Sequence, residues 1–459
     1  MTGTRRVAIV GTGARAQLYT NGLASRSRYT VAALCDPSPA RMGYHNRLLL
    51  KAGNRAAAVW SPDGFTEMLG QEDITDVVVS TVDALHDHYI VPAVEAGCRV
   101  VTEKPMTVDA AKCRAVLDAT RRTGNPLAVA FNYRYNPVHD RVWRLLHEQE
   151  IGEVLSVHFE WLLDVRHGAD YFRRWHREKA SSGGLMVHKA SHHFDLVNWW
   201  LGTEPREVFG YGRLGFYGAD AGTRHGLRRE YPRAYGSAQA AGDPFALDIS
   251  GHQALRELYL DAEADSGYIR DRNVFDGEIS IEDDMAVLVR YASGASMSYH
   301  LTAYSPWEGY RVMFNGSAGR LELEVVESRW PPRRARIDAA GGAIHGELAM
   351  ANAGSATITL QRLWEPPAGV PVAAGHGGHG GHGGGDERML TALYGPAGPS
   401  GESSGGSESE PASGDPARQS ANQRDGAFAL AVGAAANECF VTRQPVRIAG
   451  LIPELGTDR

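Results

Sequence analysis

The sequence has few cysteines, no long apolar run and no excess of positive charge. The four cysteines among 459 residues are scattered, at Cys35, Cys98, Cys113 and Cys439. This spacing is typical neither of a disulfide framework nor of a paired metal site, and it favours a reducing compartment. No stretch reaches the roughly 18 consecutive apolar residues that predict a membrane-spanning helix. The formal net charge of −7 predicts no general attraction to nucleic acid or to an anionic membrane.

The N-terminus also lacks the apolar stretch of a secretory signal peptide. Arg5 and Arg6 lead directly into a strand-like run that ends at Gly11, so we expect a cytoplasmic protein. With 43% hydrophobic and 22% charged residues, the composition is that of a globular protein. The length predicts roughly two to three domains.

The first part of the sequence alternates short apolar runs with helical stretches. The runs lie at residues 6–11, 29–36, 74–81, 98–104 and 126–132. Such alternation predicts βαβ units and an α/β domain with a parallel sheet. After residue 132, runs of alternating polarity joined by Ser-Gly and Gly-Ser turns predict hairpins. This second part is predicted to be an α+β domain with an open, largely antiparallel sheet and helices on one face.

A glycine-rich turn follows the first strand and opens a helix. In "IVGTGARAQ", Gly11 and Gly13 match the first two glycines of G-x-G-x-x-G, and Ala16 takes the third place. Glycine allows the backbone to approach a pyrophosphate closely, and a helix N-terminus favours negative charge. We therefore predict that the turn binds a dinucleotide through Gly11, Thr12, Gly13, Ala14 and Arg15.

An acidic residue ends the second strand. Asp36 follows Gly11 by 25 residues, and a carboxylate at this point accepts hydrogen bonds from the adenosine ribose. It also repels a 2′-phosphate, so we predict NAD as the cofactor in preference to NADP. The alternative is that Asp36 and Pro37 only start a turn.

The segment "TEKP" ends the fourth strand. Open α/β sheets bind ligands beyond the carboxyl ends of their strands. Glu103 and Lys104 are therefore predicted to face the cofactor. Lys104 would relay protons or hold a substrate hydroxyl; the alternative is a surface lysine.

These patterns divide the chain into four segments. Residues 1–131 are predicted to form an NAD-binding Rossmann domain and residues 132–394 a substrate-binding α+β domain. Residues 395–423, rich in Pro, Gly, Ser and Glu, are predicted to be a disordered loop. Residues 424–459 are predicted to pack back on the body as a C-terminal helix and tail. The Gly/His-rich stretch at residues 376–386 is predicted to be a flexible loop, with closure of His382 and Asp386 over the substrate as the alternative.

Four stretches, in order, resemble the Gfo/Idh/MocA oxidoreductases, which include glucose-fructose oxidoreductase and inositol dehydrogenase. They are "GTGARA", "STVDALHDHYIVPAVEAGCRVVTEKPMTVDAA", "FNYRYNP" and "GGLMVHKASHHFDLVNWWLG". The combination of Glu-Lys-Pro with H-x-x-D is more specific than any single element. The resemblance implies a Rossmann domain, a C-terminal domain with an open sheet, and NAD(P)-linked oxidation of sugars or polyols.

The resemblance also implies roles for single residues. By position, Lys104 matches the family's catalytic lysine and His192 the histidine of its H-x-x-D motif. Asp195 matches the aspartate of that motif. Thr81 and His86 fall on the loop that contacts the cofactor.

Two places depart from the family's pattern. In the cofactor-contacting loop, Val82 and Asp83 replace the usual Pro-Asn. In the histidine motif, His188 and Ala190 stand where the family often has aspartate and glycine. We predict that His188 works with His192 as a second acid/base or hydroxyl-holding group, an imidazole in place of a carboxylate.

The spacing of the histidines predicts a shared helical face. His188, His192, Asp195 and Trp199 occur at i, i+4, i+7 and i+11, so one helix would present them together. His193 would point away and is predicted to be structural. The same pair suits a metal ion with Asp195 as a third ligand, and a buried structural role is the other alternative. We assign catalysis to the pair and no metal ligands.

Substrate contacts are predicted for four residues: Arg134, Trp175, Asp195 and Tyr304. The aromatic rings suit stacking on a sugar, and the alternative for each is a place in the core. The predicted partner is a small carbohydrate, with no nucleic acid and no membrane. We also expect a homo-oligomer formed through the C-terminal sheet.

The sequence thus predicts an NAD-dependent oxidoreductase acting on a sugar, a sugar derivative or a cyclic polyol. One alternative is a glycoside hydrolase that borrows NAD for transient oxidation at C3; it would release an aglycone without net NADH. The other is a non-catalytic, nucleotide-sensing regulator on a dehydrogenase fold. Lys104 and His192 argue against the regulator, as does the absence of a DNA-binding motif.

Overall fold

The computed structural model describes residues 4–331, 355–372, 384–397 and 416–456. A seven-stranded sheet contains most of the N-terminal strands. Its strands are β1 (Arg5–Val10), β2 (Tyr29–Cys35), β3 (Ala58–Trp60), β4 (Asp76–Val79), β5 (Arg99–Thr102), β6 (Leu127–Val129) and β15 (Ala421–Asn422). Their order is β15-β6-β5-β4-β1-β2-β3. All neighbours are parallel except β15, which is antiparallel to β6. The predicted Rossmann fold is confirmed.

Five helices connect these strands and cover the two faces of the sheet. They are α1 (Ala16–Ala24), α2 (Pro39–Lys51), α3 (Phe65–Gln71), α4 (His86–Glu95) and α5 (Ala110–Thr123). Local chemistry explains two starts: Ser38 caps α2 by accepting the N–H of Arg41, and Asp109 caps α5 by accepting that of Lys112. The strand order reverses between β1 and β4, which opens a crevice at their carboxyl ends.

A nine-stranded sheet forms the body of the second domain. Its strands are β7 (Val154–Asp164), β8 (Pro205–Arg213), β9 (Asp284–Tyr291), β10 (Ser296–Ser305), β11 (Glu308–Gly316), β12 (Gly319–Ser328), β13 (Ser355–Arg362), β14 (Ala368–Val370) and β16 (Val446–Arg447). Their order is β14-β13-β12-β11-β7-β10-β9-β8-β16. Strands β7 and β10 are parallel, and the other neighbours are antiparallel. The predicted, largely antiparallel sheet is confirmed.

Twelve further α-helices occur in the described part of the chain. They are α6 (Pro137–His147), α7 (Val165–Arg173), α8 (Lys179–Ser182), α9 (Leu185–His188), α10 (Ser191–Leu201), α11 (Ala219–Arg224), α12 (Gln253–Leu255), α13 (Glu263–Ser266), α14 (Gly385–Tyr394), α15 (Pro416–Gln419), α16 (Gln423–Thr442) and α17 (Ile448–Leu451). Helix α16 packs against α5, α10 and β8, so it joins the two domains. In the ranges given above, no helix combines the length and the apolar character needed to cross a membrane.

Two boundaries differ from the sequence prediction. Residues 416–422 carry α15 and β15, so the loop predicted at 395–423 does not extend over them. The reason is that Ala421–Asn422 extends the edge of the first sheet, and Asn422 caps α16. Helix α14, assigned above to the substrate domain, packs against α1 of the Rossmann domain. Residues 398–415 and the histidine-rich residues 376–383 lie outside the described part.

Candidate active site

A cavity of about 620 Å³ lies where the carboxyl ends of the parallel strands meet the second domain. The loops after β1, β2, β4 and β5 form one wall, and residues 167–192 form much of the other. Most residues predicted to bind the cofactor line it: Gly11, Gly13, Ala14, Arg15, Asp36, Thr81, His86, Glu103 and Lys104. The remaining one, Thr12, is fully buried and does not line the wall.

The glycine-rich turn is fixed by close contact with the loop after β4. Gly11 has φ of +82°, and a Cβ there would lie 2.6 Å from the backbone nitrogen of Thr81. Only glycine combines that backbone conformation with that approach. The Ala14 amide at the start of α1 donates to the hydroxyl of Tyr259 at 3.2 Å.

Asp36 occupies the place expected of a ribose-binding carboxylate. One oxygen accepts the amide of Thr12 at 2.7 Å and the other accepts the amide of Ser38 at 2.9 Å. These bonds tie the end of β2 to the glycine-rich turn and hold the carboxylate in the cavity wall. The nearest guanidinium nitrogen of Arg41 lies 3.9 Å away.

Arg15 connects three parts of the chain at the start of α1. Its Nε donates to Glu103 at 2.6 Å, and its two terminal nitrogens donate to Asp386 at 3.0 and 2.9 Å. Asp386 also accepts from the side chain of Asn132 at 2.7 Å. The carboxylate of Asp386 is therefore paired with Arg15 and Asn132. It holds the residue that follows the glycine-rich turn, and this replaces the hypothesis that Asp386 closes over the substrate.

The loop after β4 is held by a buried imidazole. The Nδ1 of His86 lies 2.8 Å from the carbonyl oxygen of Pro105, and its Nε2 lies 3.3 Å from that of Thr81. Burial lowers the pKa of His86, and the hydrogen bonds to the two carbonyl oxygens oppose that change. His86 therefore fixes the loop that carries Thr81 against the segment that carries Lys104.

Lys104 projects into the cavity from the end of β5. Its Nζ donates to the carbonyl oxygen of His188 at 2.9 Å and lies 3.4 Å from the Nε2 of the same residue. Burial lowers the pKa of Lys104 to about 8, against the opposing attraction of Asp83 and Glu103. Lys104 can therefore exist as a neutral amine near physiological pH, as a general base requires.

The imidazole of His188 bridges Lys104 to a carboxylate that the sequence prediction missed. Its Nδ1 lies 2.5 Å from the Oδ2 of Asp83, which is buried in the loop after β4. Burial lowers the pKa of His188 well below its usual value, and the positive charge of Lys104 acts in the same direction. Burial raises the pKa of Asp83, and Lys104 opposes that change.

The prediction that one helix carries both histidines is wrong. Helix α9 ends at His188 and α10 begins at Ser191. The carbonyl of His188 accepts Lys104 Nζ, while the amide of His192 donates to Lys189. Lys104 thus takes the acceptor that a continuous helix would use, and the chain turns there.

Both histidines nevertheless line the cavity. His192 stacks on Tyr133, with ring centroids 4.4 Å apart. His193 points into the core, where it stacks on Trp161 at 4.1 Å and its Nδ1 lies 2.6 Å from the hydroxyl of Tyr299. This placement agrees with the structural role predicted for His193.

One of the four predicted substrate contacts lies in the cavity wall. Trp175 lines the cavity and stacks on His176, with ring centroids 3.6 Å apart. Tyr304 stacks instead on Phe216 at 5.2 Å and does not line the cavity. Its place on β10 directs it to the aromatic group around Phe216.

The other two predicted contacts pair with each other. The Nε and Nη2 of Arg134 donate to the two carboxylate oxygens of Asp195 at 2.8 and 2.6 Å, and both side chains are almost fully buried. Burial raises the pKa of Asp195 to about 6, against the opposing charge of Arg134. Neither residue lines the cavity, because the bidentate pair consumes both groups.

A segment of the second domain covers the end of the cavity near Asp36. Residues 253–268, termed the strap, include Tyr259 and Tyr268 in the cavity wall. Within the strap, Asp265 accepts the hydroxyl of Ser38 at 2.6 Å and the carbonyl of Leu258 accepts Arg41 Nε at 3.0 Å. The strap therefore encloses the predicted adenosine side of the site.

The sequence prediction assigned no role to several residues in the cavity wall. They include Asp83, Arg174, Lys189, Tyr259 and Tyr268. Two features of the sequence could have indicated three of them. Asp83 departs from the family's pattern, and Arg174 and Lys189 are the sequence neighbours of the predicted site residues Trp175 and His188. The strap tyrosines carried no such signal. Among the described residues, no group of three or more His, Cys, Asp or Glu is arranged to hold a metal ion.

Sequence comparison agrees with this dinucleotide-binding fold and its cavity. Residues 5–131 match the profile of an oxidoreductase family described as an NAD-binding Rossmann fold, and residues 144–333 match its C-terminal alpha/beta domain. The chain is 36% identical over 304 residues to the putative oxidoreductase YteT of Bacillus subtilis, covering 64% of this chain and 70% of that one. The chain is an enzyme of the oxidoreductase class. It belongs to the Gfo/Idh/MocA family.

More distant relatives share the fold. Inositol 2-dehydrogenase 1 of Paenarthrobacter aurescens is 26% identical over 215 residues, which span 45% of this chain and 57% of that protein. The chain thus matches little more than half the length of this relative. Among solved structures, an oxidoreductase domain protein from Kribbella flavida superposes with a TM-score of 0.64 at 17% identity, covering 98% of this chain and 100% of that one. The aldose-aldose oxidoreductase of Caulobacter crescentus gives 0.58 at 17% identity, with coverages of 97% and 99%.

Proposed function

We propose that the protein is an NAD-dependent oxidoreductase that transfers hydride between a carbinol carbon of a sugar, sugar derivative or cyclic polyol and nicotinamide. The observation that carries the proposal is the position of Lys104. Its amine lies in the same cavity as the glycine-rich turn, 3.4 Å from the imidazole of His188. The inositol dehydrogenase name of a relative supports the substrate class.

The residues present fit a dinucleotide. Gly11 leaves no room for a side chain beside Thr81, and Gly13 and Ala14 line the cavity before the start of α1. In the described residues, Tyr268 Oη and Arg174 Nε are buried without a hydrogen-bond partner. Both residues line the cavity, and such donors suit an anionic group like a pyrophosphate. Asp36 would hold the adenosine ribose, and the bound cofactor would supply the hydride acceptor.

The protein's own groups handle the proton. A substrate hydroxyl placed near Lys104 would give its proton to the neutral amine, and His192 would hold or exchange a proton at a neighbouring hydroxyl. Trp175 presents a ring on which one face of a sugar can stack.

The rate of alcohol oxidation should increase with pH. Because burial holds the pKa of Lys104 at about 8, the base is protonated below that pH and neutral above it. We expect kcat/KM to rise between neutral pH and about 9 and then to level off. A profile that is flat from pH 6 to about 9 would contradict Lys104 as the base. Steady-state rates in overlapping buffers of constant ionic strength measure this.

The protein should bind NADH more tightly than NADPH. A 2′-phosphate would face the Asp36 carboxylate at close range, and we expect at least about a tenfold difference in Kd, or 1.4 kcal/mol. Replacing Asp36 with serine should reduce the difference between the two Kd values. The repulsion between the carboxylate and the 2′-phosphate is then removed, while a hydroxyl remains to hydrogen-bond the ribose. Titration calorimetry measures both affinities. Equal affinities in the parent protein would contradict the assignment.

The protein is also proposed to act as a homo-oligomer through the second sheet. The outer face of that sheet exposes Tyr211 and Leu288, each more than half exposed. A second copy of the chain would bury them, at about 25 cal/mol per Å² of apolar surface. Sedimentation equilibrium should give a mass of at least two chains, and replacing Leu288 with lysine should shift it toward one. A parent protein of one-chain mass would contradict the proposal.

A substrate panel tests the function itself. Purified protein with NAD and a series of inositols, aldoses and uronates should form NADH with at least one of them, detected by its ultraviolet absorbance. With aryl glycosides as a second panel, release of the aglycone without net NADH would instead favour the NAD-dependent hydrolase. Binding of NAD with no turnover on either panel would favour a regulator.

A further inference from the structure

We propose that Asp83 is a positioning residue for the active site, holding His188 in the tautomer whose Nε2 accepts a hydrogen bond from Lys104. The inference rests on the proposed function, because it concerns the group that receives the proton removed in that reaction. It concerns the contact between two residues that lie 105 positions apart in the sequence. The family's pattern does not assign this pair, because it usually has other residue types at both positions.

With Lys104 protonated and Asp83 ionised, the hydrogen-bond directions at His188 admit one assignment. A protonated lysine has only donors, so Lys104 Nζ, at 3.4 Å, requires a lone pair on His188 Nε2. The proton of the neutral ring then resides on Nδ1, which donates to Asp83 Oδ2 at 2.5 Å.

The side chains of Asp83 and His188 are buried, so bulk solvent screens their contact little. Asp83 is 3% exposed as a residue, and the His188 side chain is 12% exposed. The other groups that act on the pair are Glu103, Arg174, His176 and His192. Of these, Glu103 is engaged by Arg15 and Arg174 by Asp170. The carboxylate nearest to the His188 ring is therefore Asp83.

This arrangement fixes the group that receives the substrate proton. The hydroxyl O–H would break as the carbinol C–H leaves as hydride, and its proton would pass to the neutral Nζ of Lys104. The resulting ammonium would donate to the lone pair of His188 Nε2. Asp83 keeps that lone pair available by holding the ring proton on Nδ1, as the aspartate of a Ser-His-Asp triad fixes the tautomer of its histidine. The two electrons would leave with the hydride, and no further oxidant is needed.

The two departures from the family's pattern meet at this contact. The family usually has asparagine where this chain has Asp83 and often has aspartate where it has His188. In this chain a carboxylate, Asp83, thus replaces the amide, and an imidazole, His188, replaces the carboxylate. These two side chains contact each other.

Asp83→Asn is the variant that tests the proposal, with Asp87→Asn as the matched control. Asp87 lies four residues on, pairs with Lys112 at 2.9 Å and does not line the cavity. With myo-inositol and NAD as the probe, or the best alcohol of the panel, Asp83→Asn should lower kcat by about 10- to 1,000-fold, below the ~10⁴-fold seen when the equivalent triad aspartate is neutralised. KM and NADH binding should stay unchanged.

The pH profile distinguishes positioning from a merely structural role. The negative charge of Asp83 raises the pKa of Lys104, so its removal should move the midpoint of the kcat/KM profile down by about one pH unit. Asp87→Asn should leave the midpoint in place. An unchanged midpoint and rate in Asp83→Asn would overturn the proposal.

A double-mutant cycle tests whether Asp83 acts through His188. In a His188→Ala background, Asp83→Asn should cost little further activity, since its partner is gone. Additive losses would overturn the proposal. The double variant Asp83→Asn with His188→Asp, which restores the usual pair of the family, should be more active than either single change; activity no higher than that of Asp83→Asn would count against it.

A spectroscopic readout keeps this test separate from the proposed function. Nitrogen NMR of protein labelled at histidine should show the ring of His188 protonated at Nδ1, and Asp83→Asn should weaken that signal whether or not any alcohol is oxidised. A parent protein protonated at Nε2 would overturn the pairing. A parent protein with the expected tautomer but no turnover on any panel would overturn only the proposed function.

Discussion

Replacing Lys104 with alanine is expected to lower kcat by about 10²- to 10⁴-fold, the usual contribution of a general base. The amine is the group in the cavity whose pKa, at about 8, matches the task. Its Nζ hydrogen-bonds to the backbone carbonyl of His188 and lies 3.4 Å from the ring of the same residue. NADH binding should therefore remain close to that of the parent protein. Stopped-flow turnover and NADH fluorescence titration measure the two quantities separately.

Two further variants separate the base from its charge. Lys104→Arg keeps a positive charge but cannot lose its proton, so it should be nearly as slow as the alanine variant. Lys112→Ala, which removes a partly exposed lysine on α5, should leave turnover unchanged. His192→Ala should also lose two or more decades of rate, roughly in the range for a proton-transfer group. A Lys104→Ala protein with a near-normal rate would remove this residue from the catalytic set.

Asp195→Ala should destabilise the protein by about 3 to 5 kcal/mol, because it leaves the buried guanidinium of Arg134 without its bidentate partner. Both side chains are at most 4% exposed. Asp425 lies 3.4 Å from the same guanidinium but is 36% exposed, so it compensates only in part. Chemical denaturation of parent and variant, with the same probe, measures the loss of unfolding free energy.

A combined replacement tests the physical reason. Arg134→Met with Asp195→Leu removes both charges at similar volume, and it should recover most of the stability that Asp195→Ala loses. If the single variant instead keeps its stability and shows a raised KM, Asp195 binds substrate as the sequence prediction had it. The structure favours the first outcome, because the pair lies outside the cavity wall.

Local patterns in the sequence predicted the Rossmann half well. The turn at Gly11 could be found because a positive φ and a close approach leave one residue type possible. The placement of Lys104 at the cavity followed from a general property of parallel sheets, whose ligands lie beyond the carboxyl ends of the strands. Both features depend on residues that are close in sequence or on the order of neighbouring strands.

The features that were missed depend on contacts between distant segments. The break before Ser191 arises because Lys104, 84 residues away, binds the carbonyl of His188. Helical spacing assumes that each carbonyl is free for the amide four residues on, and it cannot register that competitor. In the same way, the partner of Arg134 is an aspartate 61 residues away. The sequence-based prediction could not register this partner, and it therefore assigned the Arg134 side chain to the substrate.

The position of the strap also could not be inferred from sequence. Its tyrosines carry no motif, and Tyr259 lies 245 residues from the Ala14 amide that it contacts. Only the docking of the second domain on the first brings them together. The sequence-based prediction therefore assigned the cofactor side of the site to the first domain alone, whereas residues of both domains line it in the structure.

Transfer of deuterium from the cofactor tests the central claim most directly. The protein is loaded with NADH that carries deuterium at nicotinamide C4 and is then incubated with a panel of keto-inositols and keto-sugars. The proposal predicts deuterium on a carbinol carbon of at least one product, detected by mass spectrometry, and its near-complete loss in Lys104→Ala at equal NADH occupancy. If the parent protein binds NADH but transfers deuterium to no member of the panel, the account of this cavity as a carbinol oxidoreductase site is contradicted.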